Sequence, residues 1–151
     1  MFSLFKRKKQ FFSPAEQQLI VKAIQNAERC TSGEVRVFVE SRCKYMDALD
    51  RAVELFGQMG MQATQERNGV LVYVAVKDQQ LAVFGDEGIH RKVGNEYWNA
   101  EVMKMIRDFN RDNYAAGIAG CIEDVGEALQ QFFPYTDQDK NELPDEIQFG
   151  R

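Results

Sequence analysis

One histidine, one tryptophan, three cysteines and three prolines are all that the 151 residues hold of those types. Each scarcity removes a class of protein. The lone His90 cannot supply paired imidazoles, and Cys30, Cys43 and Cys121 show no C-x-x-C pair and no zinc spacing with it. The thiols read as free cysteines in a reducing compartment. With a strand expected over Glu34 to Arg42, Cys30 and Cys43 flank its opposite ends, about 25 Å or more apart, too far for a disulfide. The apolar run at the start is too short for a secretory signal, and its charges lie on the wrong side of it. Neither secretion nor a membrane span is expected.

The chain also lacks a basic body. The net charge is −4. Residues 1 to 12 carry +4, residues 13 to 134 carry −5 and residues 135 to 151 carry −3. A nucleic-acid binder needs a basic face on its folded part, so no nucleic-acid partner is expected. What is present is 44% hydrophobic and 11% aromatic residues, enough for one folded domain that requires neither disulfide nor metal. The charge blocks divide the chain into a basic flexible leader over 1–12, a domain over 13–134 and an acidic tail over 135–151. The tail is expected to be partly docked or disordered, with Leu143, Ile147 and Phe149 as its only apolar anchors.

Ser13-Pro14-Ala15-Glu16 has an N-cap serine, proline at the first helical position and glutamate at the third, the pattern of a capping box. Leu19, Ile20, Ala23, Ile24 and Ala27 continue at helical spacing, which predicts a helix over about 14 to 30. Val35, Val37 and Val39 alternate with Arg36 and Glu40, with Phe38 on the second face, as in a partly covered strand. Asp47 caps a second helical pattern, Leu49, Ala52, Val53, Phe56 and Met59, that stops near Gly60. Val70 to Val76 is continuously apolar and β-branched, as in a central strand buried on both faces. Lys77-Asp78-Gln79 turns the chain into a return strand, Gln80 to Phe84. Two helical stripes follow before Pro134, Trp98 to Phe109 and Tyr114 to Phe132, with Gly117 and Gly120 placed for close approach. This order is a β-α-β crossover followed by a hairpin, an α/β fold with a small mixed sheet between helices.

If the first two strands are parallel and the third returns, three glycine-bearing polar turns share one edge. They are Ser32-Gly33-Glu34, Arg67-Asn68-Gly69 and Gly85-Asp86-Glu87-Gly88. Glu34, Asp86 and Glu87 offer carboxylate oxygens and Asn68 an amide oxygen, the hard ligands that calcium prefers. The G-x-x-G from Gly85 to Gly88 lacks the full dinucleotide fingerprint and lies at the wrong strand end, so no nucleotide is expected. His90 reads as exposed in a polar turn, and Trp98 as core.

Together, Thr31-Ser32-Gly33-Glu34-Val35-Arg36-Val37, Arg67-Asn68-Gly69-Val70-Leu71 and Gly85-Asp86-Glu87-Gly88-Ile89 resemble the TPM domain family. That family is named for a thylakoid lumen protein, a photosystem II repair protein and a modulator of levamisole receptors. The resemblance implies a Rossmann-like three-layer α/β/α sandwich, calcium binding, and a weak acid phosphatase activity in some members. Gly33, Gly69, Gly85, Gly88 and Asn68 match the family's motifs.

The expected function is therefore a non-catalytic TPM-type binding module. Its calcium or other divalent-cation site comprises Glu34, Asn68, Asp86 and Glu87, framed by Ser32, Gly33, Arg67, Gly69, Gly85 and Gly88. The alternative is a metal-dependent phosphomonoesterase at the same edge, with Arg67 as the phosphate clamp. No C-x5-R loop, no G-x-S-x-G elbow and no D-x-D after a strand supports a nucleophile. The expected partner is a protein, and the expected location cytoplasmic with peripheral membrane contact through residues 1–12. Binding to anionic vesicles should weaken with salt and vanish when residues 1–12 are deleted, as measured by co-sedimentation.

Overall fold

The computed structural model describes residues 11–134 and 147–150. Most of the basic leader (1–10) and most of the acidic tail (135–146) lie outside the described residues, and with them the expected membrane contact and Leu143. Helix α1 (Pro14–Glu28) starts on the expected box, with Glu16 N–H donating to Ser13 Oγ at 3.1 Å and Ser13 N–H to Glu16 Oε1 at 2.9 Å. There follow β1 (Glu34–Glu40), α2 (Ala48–Gln58), a 3-10 turn (Met61–Ala63), β2 (Gly69–Ala75), β3 (Gln80–Gly85), α3 (Glu87–Val93), α4 (Asn95–Phe109), α5 (Tyr114–Phe132) and β4 (Ile147–Phe149).

The sheet runs β3-β2-β1-β4. β1 and β2 are parallel, with Glu34 opposite Gly69 and Glu40 opposite Ala75, and β3 returns antiparallel to β2. Crossover and hairpin are thus as the hydrophobic pattern predicts. β4 is an addition, parallel to β1 with Val37 opposite Ile147. Three residues are too few to show a period, so only the apolar character of Ile147 and Phe149 announces it. Beside it, at the start of the described residues, Phe12 is buried and the Phe11 ring stacks on Phe149 with centroids 6.4 Å apart.

Helices cover both faces. Val35, Val37, Val39, Val70, Val72 and Val74 pack with α1, α4 and α5, whereas Leu71, Tyr73 and Ala75 pack with α2 and Met61. Each such large side chain withdrawn from water contributes about 1.5–3 kcal/mol. Among the described residues no helix is long and apolar enough to cross a membrane.

Four expectations are corrected. β1 is covered on both faces apart from Phe38, because Arg36 and Glu40 are buried with partners rather than turned to water. Helix α2 is rotated from its expected stripe: Ala48, Ala52, Leu55 and Phe56 face inward, leaving Leu49 and Val53 about half exposed. The stretch after Gly85 is not a plain turn but α3, capped by Asp86 and anchored by buried Ile89, and His90 within it accepts the Trp98 indole N–H at 3.0 Å. Gly117 does permit close approach, since a Cβ there would lie 3.1 Å from the Phe109 ring. Gly120 faces open space, and the tighter contact is Gly126, whose Cβ would lie 2.6 Å from Ala27 where α5 crosses α1.

The α4–α5 contact buries Glu101, which sequence spacing gave no reason to place inside. Its Oε1 and the Tyr97 hydroxyl are buried without a hydrogen-bond partner among the described residues, and Lys104 reaches Glu101 Oε2 only at 3.5 Å while lying 3.0 Å from Asp124. Burial first, then the neighbouring Asp124, raises the Glu101 carboxyl to about 7. Its ordinary value is 4.5. Between these values the folded state binds more protons than the unfolded, so this contribution is complete below pH 4.5 and is lost as pH rises through 7. Urea melts should show the chain losing on the order of 1–3 kcal/mol between pH 5 and 8 from this group, and Glu101→Gln should abolish that slope.

Candidate functional site

The topology gathers the starts of β1 and β2 and the end of β3 at one edge, as the sequence implied. Glu34 lies opposite Gly69, and Asp86 N–H donates to the Gly69 carbonyl at 2.9 Å. Glu34, on β1, and Asp86, just past the end of β3, therefore flank Gly69, about 9.6 Å apart in backbone terms. The polar side chains along this edge sort into three hydrogen-bonded groups.

The first group centres on Arg67. Its φ of 52° puts a non-glycine residue in the left-handed region, which costs on the order of 1 kcal/mol and is held by surrounding bonds. Its carbonyl accepts the Gly88 N–H at 2.8 Å. Its guanidinium grips Asp86 with two bonds, Nε to Oδ2 at 2.6 Å and Nη2 to Oδ1 at 2.9 Å, and lies 3.5 Å from Glu87 Oε2. Asp86 also accepts the Glu87 N–H at 2.8 Å as the cap of α3. The Asp86 contact, chiefly its hydrogen bonds, holds the half-exposed Arg67 in its charged form.

The second group joins Ser32, Asn68 and Glu66. Asn68 Nδ2 donates to Ser32 Oγ at 3.1 Å, and Ser32 Oγ donates to Glu66 Oε1 at 2.8 Å. The Asn68 N–H is taken by Thr64 Oγ1 at 3.2 Å, and its carbonyl faces the Glu34 N–H at 3.4 Å. Asn68 is 1% exposed, yet its Oδ1 has no hydrogen-bond partner among the described residues. A buried carbonyl oxygen left dry costs about 1–3 kcal/mol.

Glu34 belongs to the third group. Its Oε1 takes Arg36 Nη2 at 2.9 Å, while Arg36 Nη1 meets Glu28 Oε2 at 2.6 Å. The structure thus brings Asp86, Glu87 and Arg67 together, sets Ser32 and Asn68 beside them, and directs Glu34 toward Arg36. Among the described residues no three of His, Cys, Asp and Glu stand close enough to hold a metal ion.

The frame glycines are there for space rather than for unusual dihedrals. A Cβ on Gly88 would fall 2.1 Å from the Glu66 carbonyl and 2.6 Å from that of Arg67, and one on Gly85 would fall 2.3 Å from the Trp98 ring. Gly33 abuts Leu129, and Gly69 abuts Phe56 and the Met61 carbonyl. The Gly88 contact docks α3 against the Arg67 turn.

Glu66 and Thr64 escaped the sequence reading because the loop from Gln62 to Asn68 reads only as polar. So did a cluster at the opposite end of the sheet. There Glu40 takes the Tyr73 hydroxyl at 2.5 Å and Arg51 at 2.9 and 3.1 Å. Burial first, and then the Glu40 bond, holds the Tyr73 phenol protonated.

Residues 6–128 match the TPM domain family model. The chain is similar in structure to the BA42 protein of the psychrophilic bacterium Bizionia argentinensis, at 37% identity and TM-score 0.86 over 94% of this chain and 97% of that one. The N-terminal domain of the cg2496 protein of Corynebacterium glutamicum (14% identity, TM-score 0.64, 79% of this chain and 74% of that one) shares the fold. So does the N-terminal domain of a P. gingivalis protein (18% identity, TM-score 0.65, 80% and 77%). No curated protein matches the chain.

Two alanine substitutions separate glycine as spacer from glycine as mere flexibility. Gly88→Ala should cost about 1–3 kcal/mol, because backbone carbonyls must move, and should shift the NMR signals of Arg67 and Asp86. Gly120→Ala, with nothing within 4 Å of its Cβ, should raise stability by about 0.5–1 kcal/mol through helix propensity. Urea unfolding measures both.

Proposed function

The chain belongs to the TPM domain family, and from that premise we propose that it is a non-catalytic binding module whose loop edge takes a divalent cation, calcium before others. Asn68 Oδ1 carries the reading: a buried neutral oxygen without a partner among the described residues is what a hard cation would satisfy. Asp86 and Glu87 supply the negative charge. Both lie against Arg67, so the guanidinium now does the neutralising that a bound ion would do. Cation and Arg67 compete for one carboxylate pair. Asn68, Asp86 and Glu87 would hold the ion, whereas Glu34 is engaged by Arg36. A bound cation would tie the start of β2 to the cap of α3 without any turnover. The phosphatase alternative asks Arg67 to clamp phosphate, and its commitment to Asp86 supports the binding reading instead.

A melt with and without millimolar calcium tests this. At tenfold the dissociation constant a native-state ligand contributes about 1.4 kcal/mol, a rise in Tm of about 3–6 °C for a chain of this size. Arg67→Gln, by removing the competitor, should enlarge the calcium effect. Asn68→Ala and Asp86→Asn should shrink it. No shift in either the natural chain or the Arg67→Gln variant sinks the cation reading, and calcium-dependent hydrolysis of a generic phosphate ester would replace it with the enzyme.

A further inference from the structure

β3 forms the border of the sheet opposite β4. Its pairing with β2 decides which backbone groups look outward. Asp86 N–H bonds to the Gly69 carbonyl, and bonded pairs alternate along an antiparallel ladder. Phe84, Ala82 and Gln80, opposite Leu71, Tyr73 and Ala75, therefore turn their backbone groups toward β2. Leu81, Val83 and Gly85 turn theirs away, and among the described residues no hydrogen bond reaches those outward amides or carbonyls. An unpaired row of this kind is a template for another strand.

The row is not on open surface. It lies in a groove of about 660 Å³ walled by Leu49 of α2 and by Trp98 and Val102 of α4, with Asn95 and Asn99 offering amides. Leu49 is 51% exposed there because α2 is rotated from its expected stripe. Val83, although on a border strand, is only 4% exposed. With Leu49 on one side of the strand and Trp98 and Val102 on the other, the groove fits a lone extended chain better than the border of a second sheet, which disfavours a second copy as occupant. The charged residues lining the groove are Asp86 and Glu87, both at its Gly85 end. Glu87 is half exposed.

We propose that this groove is a peptide-binding site, in which an extended segment of a partner protein adds as a fifth strand beside β3. Backbone bonds to Leu81, Val83 and Gly85 supply affinity, and the two walls select apolar side chains at alternate positions. When no cation is bound, Glu87 exchanges its long contacts to Arg67 (3.5 Å) and Arg91 (3.7 Å) for a lysine or arginine where the segment passes the Gly85 end. The inference goes beyond the cation reading and names the partner class of the module; none of the three outward residues is a cation ligand, and the groove shares only Asp86 and Glu87 with that site.

The probe is a displayed library of random twelve-residue peptides panned on the full chain, once in calcium and once in EDTA, followed by a synthetic copy of the enriched sequence. Enrichment of alternating apolar residues is expected in both buffers, with a basic residue toward one end in EDTA. The synthetic peptide should slow amide exchange at Leu81, Val83 and Gly85 at least tenfold. Val83→Pro removes an outward donor without removing a bond to β2, a place where a border strand tolerates proline, and should weaken binding at least tenfold. Leu81→Pro serves if Val83→Pro unfolds, judged by its melt, and Glu87→Gln should weaken binding and flatten its salt dependence. Binding in both buffers keeps the groove standing even if the cation reading fails. No enrichment in either buffer, binding indifferent to both proline variants, or slowed exchange confined to another face overturns the proposal. So does a peptide-free dimer with Leu81 and Val83 already protected, which would assign the border to a second copy.

Discussion

A guanidinium inside the protein is the constraint from which much of this structure follows. Arg36 sits on the central part of the sheet at 1% exposure, where an uncompensated charge costs several kcal/mol. Glu28 and Glu34 compensate it, and the same Glu28 carboxylate accepts the Val35 N–H at 2.7 Å. For Glu28 to reach, α1 must end where β1 begins, so an electrostatic requirement sets how the helix lies on the sheet. Just beyond, the Thr31 hydroxyl donates to the carbonyls of Leu129 and Phe133, binding the end of α5 to the same junction. The requirement also occupies Glu34, which is why a carboxylate at the right edge for a cation is turned to another task.

Much of this was legible in the residues, and the part that was not has a common cause. The box at Ser13 and the apolar run of β2 announce themselves because local chemistry and final environment agree. Arg36, Glu40 and Glu101 contradict their environments. A charged residue is read as facing water unless its partner is known, and the partners of Arg36 and Glu40, which are Glu28 and Arg51, come from other elements, whereas Glu101 is buried by the packing of α5 with a long contact to Lys104 on its own helix. The rotation of α2 was hidden for another reason. Its apolar residues cover more than one face, so either stripe satisfies the spacing, and only the shape of the sheet beneath selects Leu55 over Leu49. At the site the converging turns were foreseen, but their sorting into three groups was not. That sorting depends on side-chain direction, which spacing does not encode.

Arg67 shows how such an edge manages its own charge. Two carboxylates next to the cap of a helix would repel each other, and a backbone in a disfavoured conformation places a cation from within the chain against them. The strain at Arg67 and the absence of a side chain at Gly88 are two halves of one contact, since the Arg67 carbonyl receives the Gly88 amide. The edge is therefore preorganised around a positive charge.

The stacking of Phe11 on Phe149 has a consequence for orientation. It puts the first and last described segments side by side at the β4 border. β3 lies at the far border, three strand spacings or about 14 Å away. Anything that held the molecule by sequence adjoining either segment would act as a handle on one side and leave the β3 groove pointing the opposite way. The two borders of the sheet thus face opposite ways, with the Phe11–Phe149 contact on one and the β3 groove on the other.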